Sequence, residues 1–165
     1  MPDATPRFAM PLLAAGQAQK EVTHNEALTL ADLLIAPVVV AVAPASVPAS
    51  PALGDGWIVG AAPQAPWDGQ AHKLAFWTDG GWRFVAAPLG MTVWSIGDQL
   101  PVRRTESGWD IGQLAAATIR IGGNQVVGPR LAGIAPPAGG TTIDTEARAA
   151  IDALLMRLQS HGLIA

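Results

Sequence analysis

The chain has 165 residues, which suits one domain or two small ones, and only 14% of these residues are charged. A net charge of −3, with no basic cluster beyond Arg103-Arg104, argues against nucleic-acid binding through a basic patch. Cysteine is absent, which excludes disulfides and thiol chemistry, and no apolar run approaches the ~20 residues of a membrane-spanning helix. A chain with so little charge and a mean hydropathy of +0.29 is expected to cover apolar surface in an interface.

Residues 1–42 predict an arm followed by a helix. The first 16 residues are Pro-rich and lack a secretory signal, so synthesis in the cytoplasm without export is expected. Thr23 and Glu26 have the spacing of a capping box, which predicts a helix over about 24–35 that ends before Pro37. The β-branched run 38–42 then predicts one short buried strand.

Residues 43–52, APASVPASPA, contain three prolines and predict an extended linker. Beyond it, residues 53–112 alternate short apolar runs with Gly/Asp turns. This pattern predicts a tryptophan-rich β domain with strands near 57–60, 72–78, 82–86, 91–96 and 99–104. Such strands favour an antiparallel meander or a small barrel-like domain. The strongest hairpin turns at Asp79-Gly80-Gly81, where glycine supplies positive φ.

Residues 113–165 predict a second hairpin, a connector and a C-terminal helix. The hairpin spans 118–127 and turns at Gly122-Gly123-Asn124, and Asp144 is a suitable N-cap for the helix, which Gly162 would end. Apolar residues within the helix follow a four-three-four spacing typical of a coiled-coil seam, and we assign oligomerisation to Ala147, Ile151, Leu154 and Leu158. The fold class expected is therefore mainly β, with a helix at each end.

No residue pattern points to catalysis, a metal or a cofactor. The three histidines lack metal-ligand spacing, no nucleophile motif is present, and no phosphate-binding loop precedes a helix. The acids of the β region, Glu106 and Asp110 excepted, directly adjoin glycine as turn residues do, which disfavours the paired carboxylates of a glycosidase. We therefore expect no enzymatic activity.

The six tryptophans allow two interpretations. Trp67, Trp82 and Trp109 lie at glycine-containing turns, where an exposed indole could stack on a sugar ring beside an acid. Tryptophans in a charge-poor β domain more often fill the core or an interface. Trp77 and Trp94 lie within predicted strands, so we expect these two to be packed in the domain or between subunits.

The stretch PLLAAGQAQKEVTHNEAL, residues 11–28, resembles the opening signature of a domain family of unknown function found in phage, prophage and gene-transfer-agent tail-fibre proteins. Gly54-Asp55, Trp67, the hairpin around Trp77 and Trp82, and Gly108-Trp109 extend the resemblance over about residues 6–112. The resemblance implies a virion component, elongated and often trimeric, with no catalytic residue to carry over.

From these observations we expect a structural component of a phage-like particle, a tail-fibre or fibre/spike attachment subunit. It would form a homotrimer and dock on tail, baseplate or spike proteins through Gln17, Gln19, Lys20, Glu21, His24, Asn25 and Glu26. The N-terminal region would serve incorporation rather than folding of the β domain. The alternative is a carbohydrate-binding adhesin that reads host surface glycan, and a glycan hydrolase ranks third. Neither nucleic acid nor membrane insertion is expected.

Overall fold

A computed structural model describes residues 3–14, 16, 20–139, 141, 144–160 and 163–164, with the side chain of Lys20 left out. The chain divides into two compact units, the first ending at Gln113 and the second beginning at Leu114. The Pro-rich segment 43–52 lies within the first unit. The described elements are α1 (Lys20–Ile35), β1 (Val38–Val39), β2 (Ala41–Val42), β3 (Gly56–Ile58), β4 (Leu74–Thr78), β5 (Gly81–Val85), β6 (Thr92–Ser95), β7 (Leu100–Arg104), β8 (Trp109–Ile111), β9 (Ile119–Ile121), β10 (Asn124–Val127) and α2 (Thr145–Ser160).

The mainly β fold with a helix near each end is confirmed. The ten strands of the described residues form three sheets, and none of these closes into a barrel. The first sheet has the order β1-β6-β7-β8 and the second has the order β2-β3-β4-β5. The third sheet is the hairpin of β9 and β10, which belongs to the second unit.

The helix α1 begins earlier than the capping box predicted. Its first residue is Lys20, so Thr23 lies inside the helix and cannot be its N-cap. Glu21 lies in the first turn, where the positive end of the helix dipole stabilises a carboxylate. The helix ends at Ile35, before Pro37, as predicted.

The segment 38–42 forms two strands in two different sheets, where the sequence predicted a single strand. Val38 and Val39 pair in parallel with Trp94 and Ser95 of β6. Ala41 and Val42 pair in parallel with β3. The remaining pairs of these two sheets are antiparallel, so one short segment joins both sheets through the only parallel pairings in the described sheets.

The first unit contains two apolar cores on opposite faces of the second sheet. One core lies on the α1 side and comprises Leu33, Val39, Ile58, Leu74, Phe76, Val93 and Val102. The other core comprises Trp57, Val59, Trp67 and Ala75, with Val47 packed against it from the Pro-rich segment. Strand alternation explains this division, because successive side chains of β3 and β4 point to opposite faces.

The two hairpins use different turn geometries. In the β4–β5 turn Thr78 pairs with Gly81, and of the three predicted turn residues Gly81 alone has positive φ, at 90°. In the β9–β10 turn Gly122 and Gly123 both have positive φ, 56° and 82°, as a two-residue type I′ loop requires.

The second unit contains no buried side chain among its described residues. Its helix α2 is capped as predicted, because the Ala147 backbone N–H donates to Asp144 Oδ1 at 2.8 Å. The predicted end of this helix at Gly162 lies outside the described residues.

Candidate functional site

The structure places the signature residues partly inside the first unit. Glu21 and Asn25 are buried at 8% and 7% exposure, whereas His24 and Glu26 are exposed. Gln17 and Gln19 lie outside the described residues, and Lys20 contributes only its position at the start of α1. The predicted docking set is therefore not one exposed patch.

Asn25 fixes the N-terminal arm to α1. Its Oδ1 accepts from the Leu13 backbone N–H at 2.9 Å, and its Nδ2 donates to the Leu13 carbonyl at 3.0 Å. An amide side chain that bonds both groups of one peptide residue imitates strand pairing. The polar character of Asn25 is thus used within the chain.

Asp32 holds the other end of the arm from one turn before the end of α1. It is fully buried, and its carboxylate accepts from Thr5 Oγ1 at 2.8 Å. The backbone N–H groups of Arg7 and Phe8 donate to the same carboxylate at 2.8 and 2.7 Å. These three hydrogen bonds compensate the burial of a charged group.

The guanidinium of Arg7 ties α1 to the second sheet. It donates to the Leu33 carbonyl at 3.2 Å, near the C-terminal end of α1, and to the Gly54 carbonyl at 2.9 Å, just before β3. It also donates to the Val38 carbonyl at 2.7 Å. Burial lowers the pKa of Arg7, and the charges of Asp32 and Asp55 oppose this shift. The arm is therefore an integral part of the first unit.

A groove lies between α1 and the β4–β5 turn. It has a volume of about 360 Å³ and is lined by Leu12, Val22, Asn25, Glu26, Thr29, Leu30, Thr78, Asp79, Gly80 and Arg83. Its lining is mainly apolar. The ion pair between Glu26 and Arg83, at 2.7 Å, joins helix and hairpin at its rim.

The groove was not visible in the sequence as a unit. Leu12, Asn25 and Glu26 fall within the signature stretch 11–28, but Thr78 belongs to β4 and Arg83 to β5, which lie far along the chain. The turn residue Asp79 is exposed at the rim. The signature therefore indicated only the arm and α1 side of this groove.

Four tryptophans form an aromatic cluster in the second core. Trp82 lies 5.5 Å from Trp57, 5.0 Å from Trp67 and 5.0 Å from Trp77 between ring centroids, each in an edge-to-face arrangement. Trp67, one of the three tryptophans that the glycan interpretation proposed as exposed platforms, is instead buried, with an exposure of 3%. The loop before β4 folds this residue over the sheet instead of holding it clear.

Trp109 and Trp94 have other environments. Trp109 is half-buried, and its Nε1 donates to the His72 carbonyl at 2.9 Å. Trp94, which the sequence predicted to be packed, is 43% exposed in the single chain. In β6 it lies directly opposite Pro101 of β7 and beside Val38 of β1, on the outer face of the first sheet.

The predicted oligomerisation seam is exposed along α2. Ile151, Leu154 and Leu158 are 44%, 62% and 37% exposed, and Ala147 is exposed as well. Within the described part of the chain, no element covers the seam.

Two other kinds of site are absent from the part of the chain that the structure describes. No group of three or more histidine, aspartate or glutamate side chains is arranged to hold a metal ion. No described helix has the length and apolar content to cross a membrane.

Comparison with known proteins gives one family match. The model of a family described as "Protein of unknown function (DUF2793)" matches residues 24–110, more than half of the chain. No curated protein and no solved structure matches the chain. The matched range runs from His24 in α1 to Asp110 in β8, and thus includes most of the groove and all the strands of the first two sheets except the last residue of β8. The chain belongs to this family of proteins of unknown function.

Proposed function

We propose that this chain is a structural component of a phage-like particle, a tail-fibre or fibre/spike attachment subunit that works as a homotrimer. The signature in residues 16–28 supports this proposal through its resemblance to phage and gene-transfer-agent tail-fibre proteins. The protein would be made in a bacterial cytoplasm and would act in the virion. Its partners would be its own copies and a tail, baseplate or spike protein.

The observation that carries the docking role is the groove between α1 and the β4–β5 turn. Its volume, about 360 Å³, falls in the range of pockets that hold a ligand or a few partner side chains. Val22 and Leu30 offer apolar surface, while Glu26 and Asp79 place carboxylates at the rim. An apolar pocket with charged edges is the usual setting for an anchor side chain at an interface.

Rigidity also favours this role. Asn25 and Asp32 fix the arm on α1, and Arg7 joins α1 to the second sheet. The walls of the groove are therefore held in place before a partner arrives, which lowers the entropic cost of binding.

Val22→Asp tests the docking role. Val22 lines the groove and is 43% exposed, so a carboxylate there should block an apolar anchor without removing core packing. We expect purified particles to lose this chain, as measured by quantitative mass spectrometry. Ala27→Asp is the matched control, because Ala27 is an exposed residue of α1 outside the groove lining. Equal incorporation of both folded variants would refute the docking role of the groove.

A carbohydrate-binding adhesin is the second candidate, and Trp94 favours it. The exposed indole lies on the outer face of the first sheet, opposite Pro101. Thr92, Arg103 and Asp110 form the neighbouring cross-strand row, in which polar groups could bond sugar hydroxyls. The candidate sugar platform is therefore Trp94, which the sequence predicted to be packed in the domain or between subunits, rather than one of the three turn tryptophans.

Trp94→Ala should reduce attachment of the purified protein to host cells, whereas Ile96→Ala, a comparably exposed apolar residue two positions on, should not. Attachment is measured by labelled-protein binding, with circular dichroism as the check on folding. Unchanged attachment of the Trp94 variant would remove this residue as a sugar platform. The hydrolase interpretation gains no support, since Asp55 and Asp98 accept turn hydrogen bonds.

A further inference from the structure

The helix α2 is amphipathic, yet its apolar side is uncovered. Ile151, Leu154 and Leu158 follow one another at three- and four-residue spacing and are 44%, 62% and 37% exposed. Arg148 and Asp152 recur at four-residue spacing on another side of the helix. A helix with this pattern normally buries its apolar stripe against a partner.

The hairpin of β9 and β10 likewise has one apolar face that is exposed and one polar face. Ile121 and Ile119 lie on one face, since they are two residues apart, and Val127 is the cross-strand partner of Ile119. On the other face Arg120 pairs with Gln125. The three apolar side chains are 68%, 43% and 40% exposed, in the order given. An isolated two-stranded hairpin is at best marginally stable in water.

Polar contacts join distant parts of the second unit. Arg130 Nε donates to the Ile164 carbonyl at 2.8 Å, and Arg148 donates to the carbonyls of Pro137, at 3.3 Å, and Gly139. None of the described side chains of this unit is buried. A unit of this size without an apolar core normally requires a disulfide, a metal or association to fold. The chain has no cysteine, and its described residues hold no metal cluster.

We propose that the second unit, residues 114–165, folds only by associating with the same unit of other copies, and that the β9–β10 hairpin and α2 together form the shared core. This inference rests on the self-association included in the proposed function. It extends that self-association from the helix seam to the hairpin, and it couples association to folding.

Copies of this chain are the occupant that the composition favours. The four-three-four stripe of α2 is the repeat by which identical helices pack together. The unit carries few charges, of both signs, so identical copies repel one another little: Arg120, Arg130, Asp144, Glu146, Arg148, Asp152 and Arg157. Both uncovered faces belong to one chain, so every additional copy brings the same two faces.

Hydrogen exchange of the full chain, read by mass spectrometry alongside light scattering, tests this proposal. We expect an oligomer in which amides of both 119–127 and 145–160 are protected. Leu154→Asp should give a monomer in which both segments lose protection, while the first unit keeps it. Ile121→Asp should have the same effect from the hairpin side.

Two matched controls place the same charge away from the proposed shared core, one on the side of α2 opposite the seam and one on the polar face of the hairpin. Met156→Asp replaces a residue 70% exposed and outside the seam, and Gln125→Asp replaces a residue on the polar face of the hairpin. Both should leave the oligomer and its protection unchanged.

Three outcomes would overturn the proposal: a wild-type monomer, a monomeric Leu154 variant whose hairpin stays protected, or controls that dissociate like the seam variants. Failure of the proposed function gives a different result, since the protein would then oligomerise as described and still be missing from particles.

Discussion

Asp32 illustrates how a single residue can organise a region without a sequence signal. It stands in Ala-Asp-Leu-Leu, where it reads as one polar position of a helix. Its partners Thr5, Arg7 and Phe8 lie more than 20 residues earlier, in an arm that the sequence indicated to be irregular. Only the tertiary fold brings these groups together.

Asp32→Ala should lower the free energy of unfolding of the first unit by about 2–4 kcal/mol, because three donors lose their acceptor and one of them, on Thr5, is buried. Urea denaturation followed by tryptophan fluorescence measures this change. Glu106→Gln, at an exposed loop acid, should leave the denaturation midpoint unchanged. A midpoint for Asp32→Ala equal to that of the control would contradict the stabilising role of the Asp32 hydrogen bonds.

The tryptophans allow a second test at the scale of the residue. Trp67→Ala should reduce stability by about 3–5 kcal/mol, as truncation of a large buried aromatic side chain does. Trp94→Ala should change it by less than about 1 kcal/mol, since much of the Trp94 side chain is in water. Thermal unfolding followed by circular dichroism distinguishes these outcomes, and equal losses would place Trp94 in a core or an interface.

At the scale of the element, short-range signals predicted most strands. Glycine-Asp turns and β-branched runs located β3 to β7, because turn chemistry and alternation are local properties. The strand β8 was missed, since Trp109–Ile111 contains an aspartate and lies between Gly108 and Gly112, a composition typical of a turn. The division of 38–42 between two sheets could not be predicted, because it depends on partners up to 56 residues away.

The location of β1 and β2 changes the expectation for the N-terminal region. A chain that begins at Pro51 lacks Leu33 and Val39, both fully buried, and also lacks Arg7, which bonds the Gly54 carbonyl. We expect this truncated chain to have no cooperative thermal transition. The sequence-based expectation was that the β domain folds without these residues.

A chain that begins at Asp3 is the control, because it retains all the described arm contacts. It should unfold at the same temperature as the full chain. A cooperative transition in the Pro51 chain would show that α1, β1 and β2 are dispensable for folding.

At the scale of the whole molecule, the two units distribute their apolar side chains in opposite ways. The first unit buries them in two cores, and the second unit exposes them. The low charge content indicated an apolar interface, but composition alone could not indicate that uncovered apolar side chains lie on the hairpin as well as on the helix. Likewise, the signature indicated a docking region, whereas the groove also needs residues of β4, of β5 and of the turn between them.

All six tryptophans lie in the first unit, which permits a prediction about the two units separately. If the second unit folds by association, its melting temperature should rise with protein concentration. Ellipticity at the helix band should show a transition that moves over a hundredfold dilution series, while the tryptophan fluorescence transition stays fixed. Two transitions that are both independent of concentration would contradict this expectation.

The parallel pairing of β1 with β6 also governs the order of events during folding. Val38 pairs with Trp94, so the first sheet cannot be completed until most of the first unit has been synthesised. Contacts between residues this distant in the chain slow folding, because a long loop must close before the pairing stabilises it. The strands β4 and β5 are adjacent in the chain, so their pairing closes only a short turn. We therefore expect it to form early, with the N-terminal strands joining last and the nascent chain exposing two unpaired sheet edges to chaperones until they do.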